Sequence, residues 1–518
     1  MAQVITSDEA ARLIRDGDHV AVSSFTALSM AEDVFVSIGE RYEKEQHPKN
    51  ISIYHVSGVG DYKPGGRGLN HLAHEGLIGR IYGAHAAPYP DLSPMMADGR
   101  IETYMVPQGV CCHLMRAMAG GEDGLLTKVG LNTFADPRLD GCKINQNCKE
   151  DIVELVNVCG KELLYYKAFP IDICLLKATY ADEDGNISCE NEPLILEQLE
   201  VAGATHRWGG KVVVQVHKIV KRGTLHPRKI KIPSVLVDYI VVGRKENTYQ
   251  THFFEDEKPE LTGDLKVPAE AIEPMPFGLR KIAARRGALE IRPGTFVNIG
   301  GGMSEGVANV ASEEGLADKI LLGVESGLIG GVPVVGAIGT AYNPEVVIRQ
   351  PECFDLYNGG LLDITFLGSA QIDREGNVNV TKFNGKVIGP GGFVNITQNT
   401  KSIRFIGSFT GGKTEIESGD GTLKVVSDGK FLKFVDHVEQ VSFSGKQGVA
   451  NGQDVLYITE RAVFRLVEGG IMLIEIAPGV DLEKDILSKM EFRPMIADDL
   501  ELMDERIFID RKMDLQFD

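Results

Sequence analysis

From Phe296 to Gly331 the chain alternates short apolar runs with glycine clusters, around one stretch of helical period. Phe296, Val297 and Ile299 predict a short strand, and Gly300, Gly301 and Gly302 follow it. Three residues without Cβ let the backbone turn sharply and come close to a ligand. Ser304 to Glu314 carries Val307, Val310 and Ala311 at helical spacing, which predicts a helix. Ile320, Leu321, Leu322 and Val324 predict a second buried strand, ending at Glu325. Ser326-Gly327 and Gly330-Gly331 come directly after. Glu325 is thus a lone carboxylate at the end of an apolar strand, inside a glycine loop. In α/β sheets that is the edge where ligands bind.

The same order of elements occurs twice. Near the N-terminus Ser7, read as an N-cap, opens a helix to about Arg15, and Asp16-Gly17-Asp18 turns the chain. His19 to Val22 begins a strand, Ser23-Ser24 follows, and Ala31 to Tyr42 is helical. In the second half, Gly278 to Leu289 is a helix and Arg292-Pro293-Gly294 a turn, before the strand, glycines and helix above. ISIYHVSG from Ile51 matches ILLGVESG from Ile320, and IDICLLKATYADEDGNI from Ile171 aligns without a gap on LDITFLGSAQIDREGNV from Leu362. Both longer segments read as a buried strand followed by a turn on Gly-Asn. Three matches in one order imply two tandem copies of one open α/β fold. Where the second copy carries Glu325, the first carries Val56. The polar, acidic, proline-containing stretch between them reads as a linker. The expected division is 1–246, linker 247–276, and 277–518. Near the end, Val455 to Leu466 and Gly470 to Ile476 predict a β-hairpin, and Asp481 caps a helix through Met490.

Composition narrows the class. At 518 residues the chain exceeds the size of one hydrophobic core, and 43% hydrophobic and 25% charged residues are ordinary for a soluble protein. The formal net charge of -19 argues against nucleic acid or an anionic membrane as partner. It also means that a polyanionic ligand would need local basic groups and helix N-termini. No apolar run approaches the ~18 residues of a membrane span, and the N-terminus lacks the basic and apolar regions of a signal peptide. The eight cysteines fit no zinc motif and no disulfide scaffold. Free thiols in a reducing cytoplasm are expected; Cys111 and Cys112, close to Pro107 to Gly109, read as buried and inert, with a place near a site as the alternative.

These residues leave the glycine run with three readings. It is a tight turn beside a solvated Glu325; or a dinucleotide site, with Gly300, Gly302 and Gly306 imitating GxGxxG at a spacing wrong by one residue; or an oxyanion-binding loop beside a nucleophilic Glu325.

VESGLIGGVP, with NIGGGMSEGVA upstream and GPGGFVNITQ downstream, resembles the second half of a family I coenzyme A transferase. PQG (Pro107 to Gly109), LAHEGLIGR (Leu72 to Arg80), TYADEDGNI (Thr179 to Ile187) and YITERAVF (Tyr457 to Phe464) extend the resemblance to the single-chain propionate/acetate type over nearly the whole chain. The resemblance implies two related α/β domains with the active site between them, a cytoplasmic homo-oligomer, expected as a homotetramer, and short-chain fatty acid metabolism. It implies a transferase with coenzyme A and acyl-CoA as substrates, no prosthetic group and no metal. Glu325 would form a covalent thioester, and Gln108 would donate its side-chain N–H to the oxyanion. Backbone N–H groups at Ser304 and in Gly389 to Gly392 would be further donors. Gly300, Gly301, Gly302, Met303, Ser304, Asn379, Gly389, Gly391 and Gly392 are the candidate coenzyme A contacts. Without the family, Gln108 reads as a polar residue at a strand end. Gly411-Gly412-Lys413 is a weaker pyrophosphate candidate, and His71, His74 and Glu75 read as structural. An acyl-CoA hydrolase using the same glutamate, a nucleotide- or sugar-phosphate-binding protein without chemistry, and an NAD oxidoreductase are the alternatives.

Overall fold

Parallel sheets bury their strands on both faces, and every residue of Ile51–Val59 is buried, Ser52, His55 and Ser57 included. A computed structural model of the protein describes residues 2–254, 257–268, 274–334 and 336–515. They fall into two units. The first is Met1–Leu265 with Val347–Asp355 and Asn384–Asn395; the second is Lys266–Val346, Leu356–Phe383 and Ile396–Asp518. Of the stretch read as a linker, the part up to Leu265 belongs to the first unit, where Thr251 bridges to Leu28. Residues 255–256 and 269–273 of that stretch lie outside the described residues.

In the first unit the strands are β1 (Gln3–Ile5), β2 (His19–Thr26), β3 (Ile51–Val59), β4 (Ile78–Gly83), β5 (Glu102–Met105), β6 (Ile173–Asp182), β7 (Lys211–Val220) and β8 (Tyr239–Val242). They form a parallel sheet in the order β1-β8-β7-β6-β2-β3-β4-β5. Its helices include α1 (Ser7–Leu13), α2 (Glu32–Glu45), α3 (Gln108–Ala119) and α4 (Gln198–Arg207). Thr6, not Ser7, caps α1: its hydroxyl accepts from the Glu9 amide and Glu9 returns the bond, a capping box one residue earlier than read.

The second unit contains β9 (Phe296–Ile299), β10 (Leu321–Val324), β11 (Leu328–Ile329), β12 (Ile364–Gly368), β13 (Ser402–Ile406), β14 (Asp454–Ile458), β15 (Ala462–Val467), β16 (Gly470–Ile476) and β17 (Met495–Leu502). Their order is β11-β10-β9-β12-β13-β14-β15-β16-β17. Helices α5 (Leu279–Ala288) and α6 (Glu305–Glu313) flank β9 in sequence, a single 3₁₀ turn at Gly302–Ser304 preceding α6. Of the hairpin read near the C-terminus, the arm Val455 to Leu466 is two antiparallel strands, β14 and β15, parted by a turn at Thr459 to Arg461, and only β15 forms the hairpin with β16. After Asp481 one π turn, Leu482–Ile486, and one 3₁₀ turn, Leu487–Lys489, replace the predicted regular helix.

The duplication is visible in the hydrogen-bond ladders. β8-β7-β6-β2-β3 in the first unit and β14-β13-β12-β9-β10 in the second have the same order. Val20 pairs with Ile53 and Ile173, and Val297 with Leu322 and Ile364. Ile173 pairs with Lys211 as Ile364 pairs with Ser402. The aspartates of the aligned segments do the same work: Asp172 accepts the amide of His19 and Asp363 that of Phe296. Asp182 and Asp373 each gather the amides of a following Gly-Asn turn.

Candidate active site

Each unit gathers its own group of the sequence-predicted residues. In the second, Glu325 is the residue that follows β10, at the carboxyl edge of a sheet whose neighbouring β9 and β12 run parallel to it or to each other. The turn is fixed by Gly327 N–H to Val324 C=O, 2.9 Å, and Gly330 N–H to Leu322 C=O, 2.7 Å. Glu325 is half-buried. Burial holds its carboxyl above the ordinary glutamate range, opposed by its own backbone N–H and by the Asn298 side chain.

Asn298 is a buried neighbour of Glu325 that the reading of β9 as an apolar strand passed over. It is fully buried, its amide nitrogen reaches Gly323 C=O at 3.2 Å, and its carbonyl accepts the Thr365 hydroxyl at 3.0 Å. Thr365 therefore fixes which way the amide points, with its N–H side toward the β10 end. The signal was present in the sequence: one polar residue between Val297 and Ile299.

The Gly300 to Ser304 loop is only partly free. The Gly300 N–H continues the ladder to Phe366 C=O at 2.8 Å, and the Ser304 hydroxyl binds the carbonyls of Gly300 and Gly301 at 2.8 and 3.2 Å. Gly301 and Gly302 are exposed and Met303 is half-exposed. Gly302 has φ +84°, a conformation that favours glycine. Asn379 is differently engaged. Its Nδ2 donates to Gln371 and to Lys382 C=O, both at 2.7 Å, while its carbonyl accepts from Thr381 and Lys382 at 2.9 and 3.4 Å. A side chain using both donors and both acceptors shapes its turn and has nothing left for a ligand.

In the first unit, Gln108 is the first residue of α3, not a strand end. Its backbone N–H donates to Gly391 C=O at 3.0 Å. Its side-chain Nε2 donates to Ser57 Oγ at 2.8 Å, and Ser57 donates on to Gln350 Oε1 at 3.2 Å. All three residues are buried. The relay dictates the amide's orientation, since Ser57, having given its proton to Gln350, presents only an acceptor. Gly389 has φ +83°, and a Cβ there would lie 2.4 Å from Ala84 C=O. The Gly391 N–H donates to that same carbonyl at 2.8 Å, so it is already engaged; Gly392 beside it is buried. Burial pushes the Cys111 and Cys112 thiols upward, and Cys112 Sγ lies 3.6 Å from Gln350 Oε1. These are packed, unreactive thiols. His71 lies 2.8 Å from Glu32, a structural contact. Among the described residues no cluster of histidine, cysteine and acidic side chains could hold a metal ion, and no helix is long and apolar enough to cross a membrane.

The profile of the coenzyme A transferase family matches residues 4–243 and 280–483. The chain is 42% identical to a caffeate CoA-transferase of Acetobacterium woodii, over 99% of this chain and 98% of that one. It is 41% identical to the acetate CoA-transferase YdiF of Escherichia coli O157:H7, over 98% and 96%. The crystal structure of the latter as an apoenzyme superposes with a TM-score of 0.94, covering 100% of this chain and 98% of that one at 40% identity. A thioester complex of that protein with CoA superposes equally well, with a TM-score of 0.94 at 39% identity, and again covers 100% and 98%.

Proposed function

This chain belongs to the coenzyme A transferase family, and on that premise we propose that it exchanges coenzyme A between short-chain acyl-CoA thioesters and free carboxylates of the acetate, propionate and butyrate type. The observation that carries the reading is Glu325, a half-buried carboxylate at the carboxyl end of β10. The product of the exchange is itself an activated carboxyl, so the intermediate carrier must be a carboxylate too.

Glu325 attacks the acyl-CoA carbonyl, giving an acyl-glutamyl anhydride and CoA thiolate. The thiolate attacks the glutamyl carbonyl, which releases the first carboxylate and leaves a glutamyl-CoA thioester. The acceptor carboxylate attacks that thioester, forming a new anhydride and freeing the thiolate again. Attack of the thiolate on the acceptor's acyl carbon yields the new acyl-CoA and restores Glu325. Each step passes through an oxyanion, for which the Gln108 amide and the loop N–H groups at Gly301 to Ser304 and Gly392 are the donors in this reading. The thioester complex with CoA of the E. coli relative supports a covalent route. A cytoplasmic homotetramer, with 1–246 and 277–518 as the duplicated halves, completes the proposal.

The test is intact-protein mass spectrometry after incubation with propionyl-CoA. The native protein should gain one CoA, discharged by acetate, propionate or butyrate faster than by caffeate or water; Glu325→Ala should gain none. Discharge by water as fast as by any acid would make the protein a hydrolase. No adduct on either protein would remove Glu325 as nucleophile.

Burial gives this site a pH signature. The reactive form of Glu325 is the carboxylate, and desolvation favours the neutral acid. Activity is therefore lost as pH falls, and the acid limb of kcat/KM should lie above the titration range of an exposed glutamate. An acid limb at or below that range would mean that the carboxylate is solvated in the working enzyme.

A further inference from the structure

Adjacent strands of the second unit each end at a glycine: Gly300 after β9, Gly368 closing β12, Gly407 after β13. The duplication shows what such positions otherwise hold. The ladder registers place Ser23, Lys177 and Val216 of the first unit where Gly300, Gly368 and Gly407 stand in the second. Lys177 fills its edge with a fully buried ion pair to Glu192, 2.5 Å. In the second unit the same edge carries no side chain at these three positions.

Lys433 reaches that edge. Lys433 is 9% exposed, and its Nζ has no hydrogen bond or ion pair among the described residues. A Cβ built on Gly407 would lie 2.7 Å from this Nζ and 3.2 Å from the Ser369 hydroxyl, so the ammonium and hydroxyl converge where glycine leaves room. Glu460 is the acid that faces Lys433, but its carboxylate is taken by the Phe409 N–H at 2.9 Å and Arg461 at 2.7 Å. Glu460 acts on Lys433 only at a distance, and a buried ammonium without a direct hydrogen bond or ion pair is costly unless a ligand supplies one.

We propose that Lys433, with Ser369 and the glycine edge of β12 and β13, binds a phosphate group of the coenzyme A substrate. Position decides which anion is meant. At about 4.8 Å per strand, β12 and β13 lie about 10–14 Å from β10 and Glu325. A small carboxylate reacting at Glu325 cannot span that distance, whereas the phosphates of a coenzyme A whose sulfur is at Glu325 are held away from the reacting carbon. A protein of net charge -19 needs such a local cation to hold a polyanion.

The inference rests on the coenzyme A reading, and direct binding separates the two. By calorimetry the native protein should bind CoA, Lys433→Met should bind it at least about 10-fold more weakly, and both should bind pantetheine, which lacks every phosphate, alike. In steady state Lys433→Met should raise KM for propionyl-CoA and leave KM for acetate unchanged. Burial lowers the Lys433 ammonium to about 8. CoA affinity of the native protein should therefore weaken as pH rises through that value while pantetheine affinity stays level, a measurement that needs no variant to fold. Equal CoA binding by native and variant, an equal loss for pantetheine, or a shift in KM for acetate instead would each overturn the assignment. No CoA binding by the native protein would overturn the coenzyme A reading itself.

Discussion

Glu325→Ala should lower kcat at least about 10⁴-fold, because removing a covalent nucleophile leaves only binding and oxyanion stabilisation. The chain should still fold. The side chain lost is a half-buried carboxyl that desolvation penalises, so the melting temperature should hold or rise. Glu325→Asp is the sharper variant. It keeps the charge but withdraws the carboxylate by about 1 Å from a backbone fixed by the Gly327 and Gly330 turns, and a misplacement of that size costs about 10²-fold. Equal activity in native protein and Glu325→Asp would mean that the turn adjusts, and that geometry is set by the substrate.

The second large effect is expected at Gln108. Gln108→Ala should reduce kcat by about 10²–10³-fold with little change in KM, the range seen when one oxyanion donor is removed. Of the two N–H bonds on Nε2, one is held by Ser57. The proposed mechanism gives the other to the oxyanion. Ser57→Ala keeps the amide but loosens its orientation, so its loss should be smaller and again fall on kcat. A change in KM alone, for either variant, would make Gln108 part of the binding wall.

Much of this was legible in the residues because parallel strands and their turns leave strong local marks. The Asp-x-x-Gly-Asn turns, the short apolar strands and the internal duplication came from segments whose chemistry acts over a few residues. The edges of elements were harder. Thr6 rather than Ser7 caps α1 because the reciprocal bond with Glu9 selects among neighbours of similar propensity. Non-local partners were out of reach. Nothing near Asn379 in sequence announces that Gln371 and Lys382 take its amide, nor that the Gly391 N–H is engaged by Ala84. Asn298 had a visible signal, a buried polar residue in an apolar strand, whose meaning depends on Thr365, 67 residues on. Lys433 was invisible as anything but one lysine among many, since what marks it is the lack of a partner.

The first unit does not end where its copy of the fold ends. It takes in Val347–Asp355 and Asn384–Asn395 from the second half of the chain. Those segments bring Gln350, the acceptor at the end of the Gln108 relay, and Gly391, the acceptor for the Gln108 backbone. A gene truncated after Leu265 would thus encode a unit lacking part of its own wall. During synthesis α3 emerges from the ribosome well before the residues that fix its first side chain. The two copies of the fold therefore do not part at one point in the chain: the first draws two segments from beyond the start of the second.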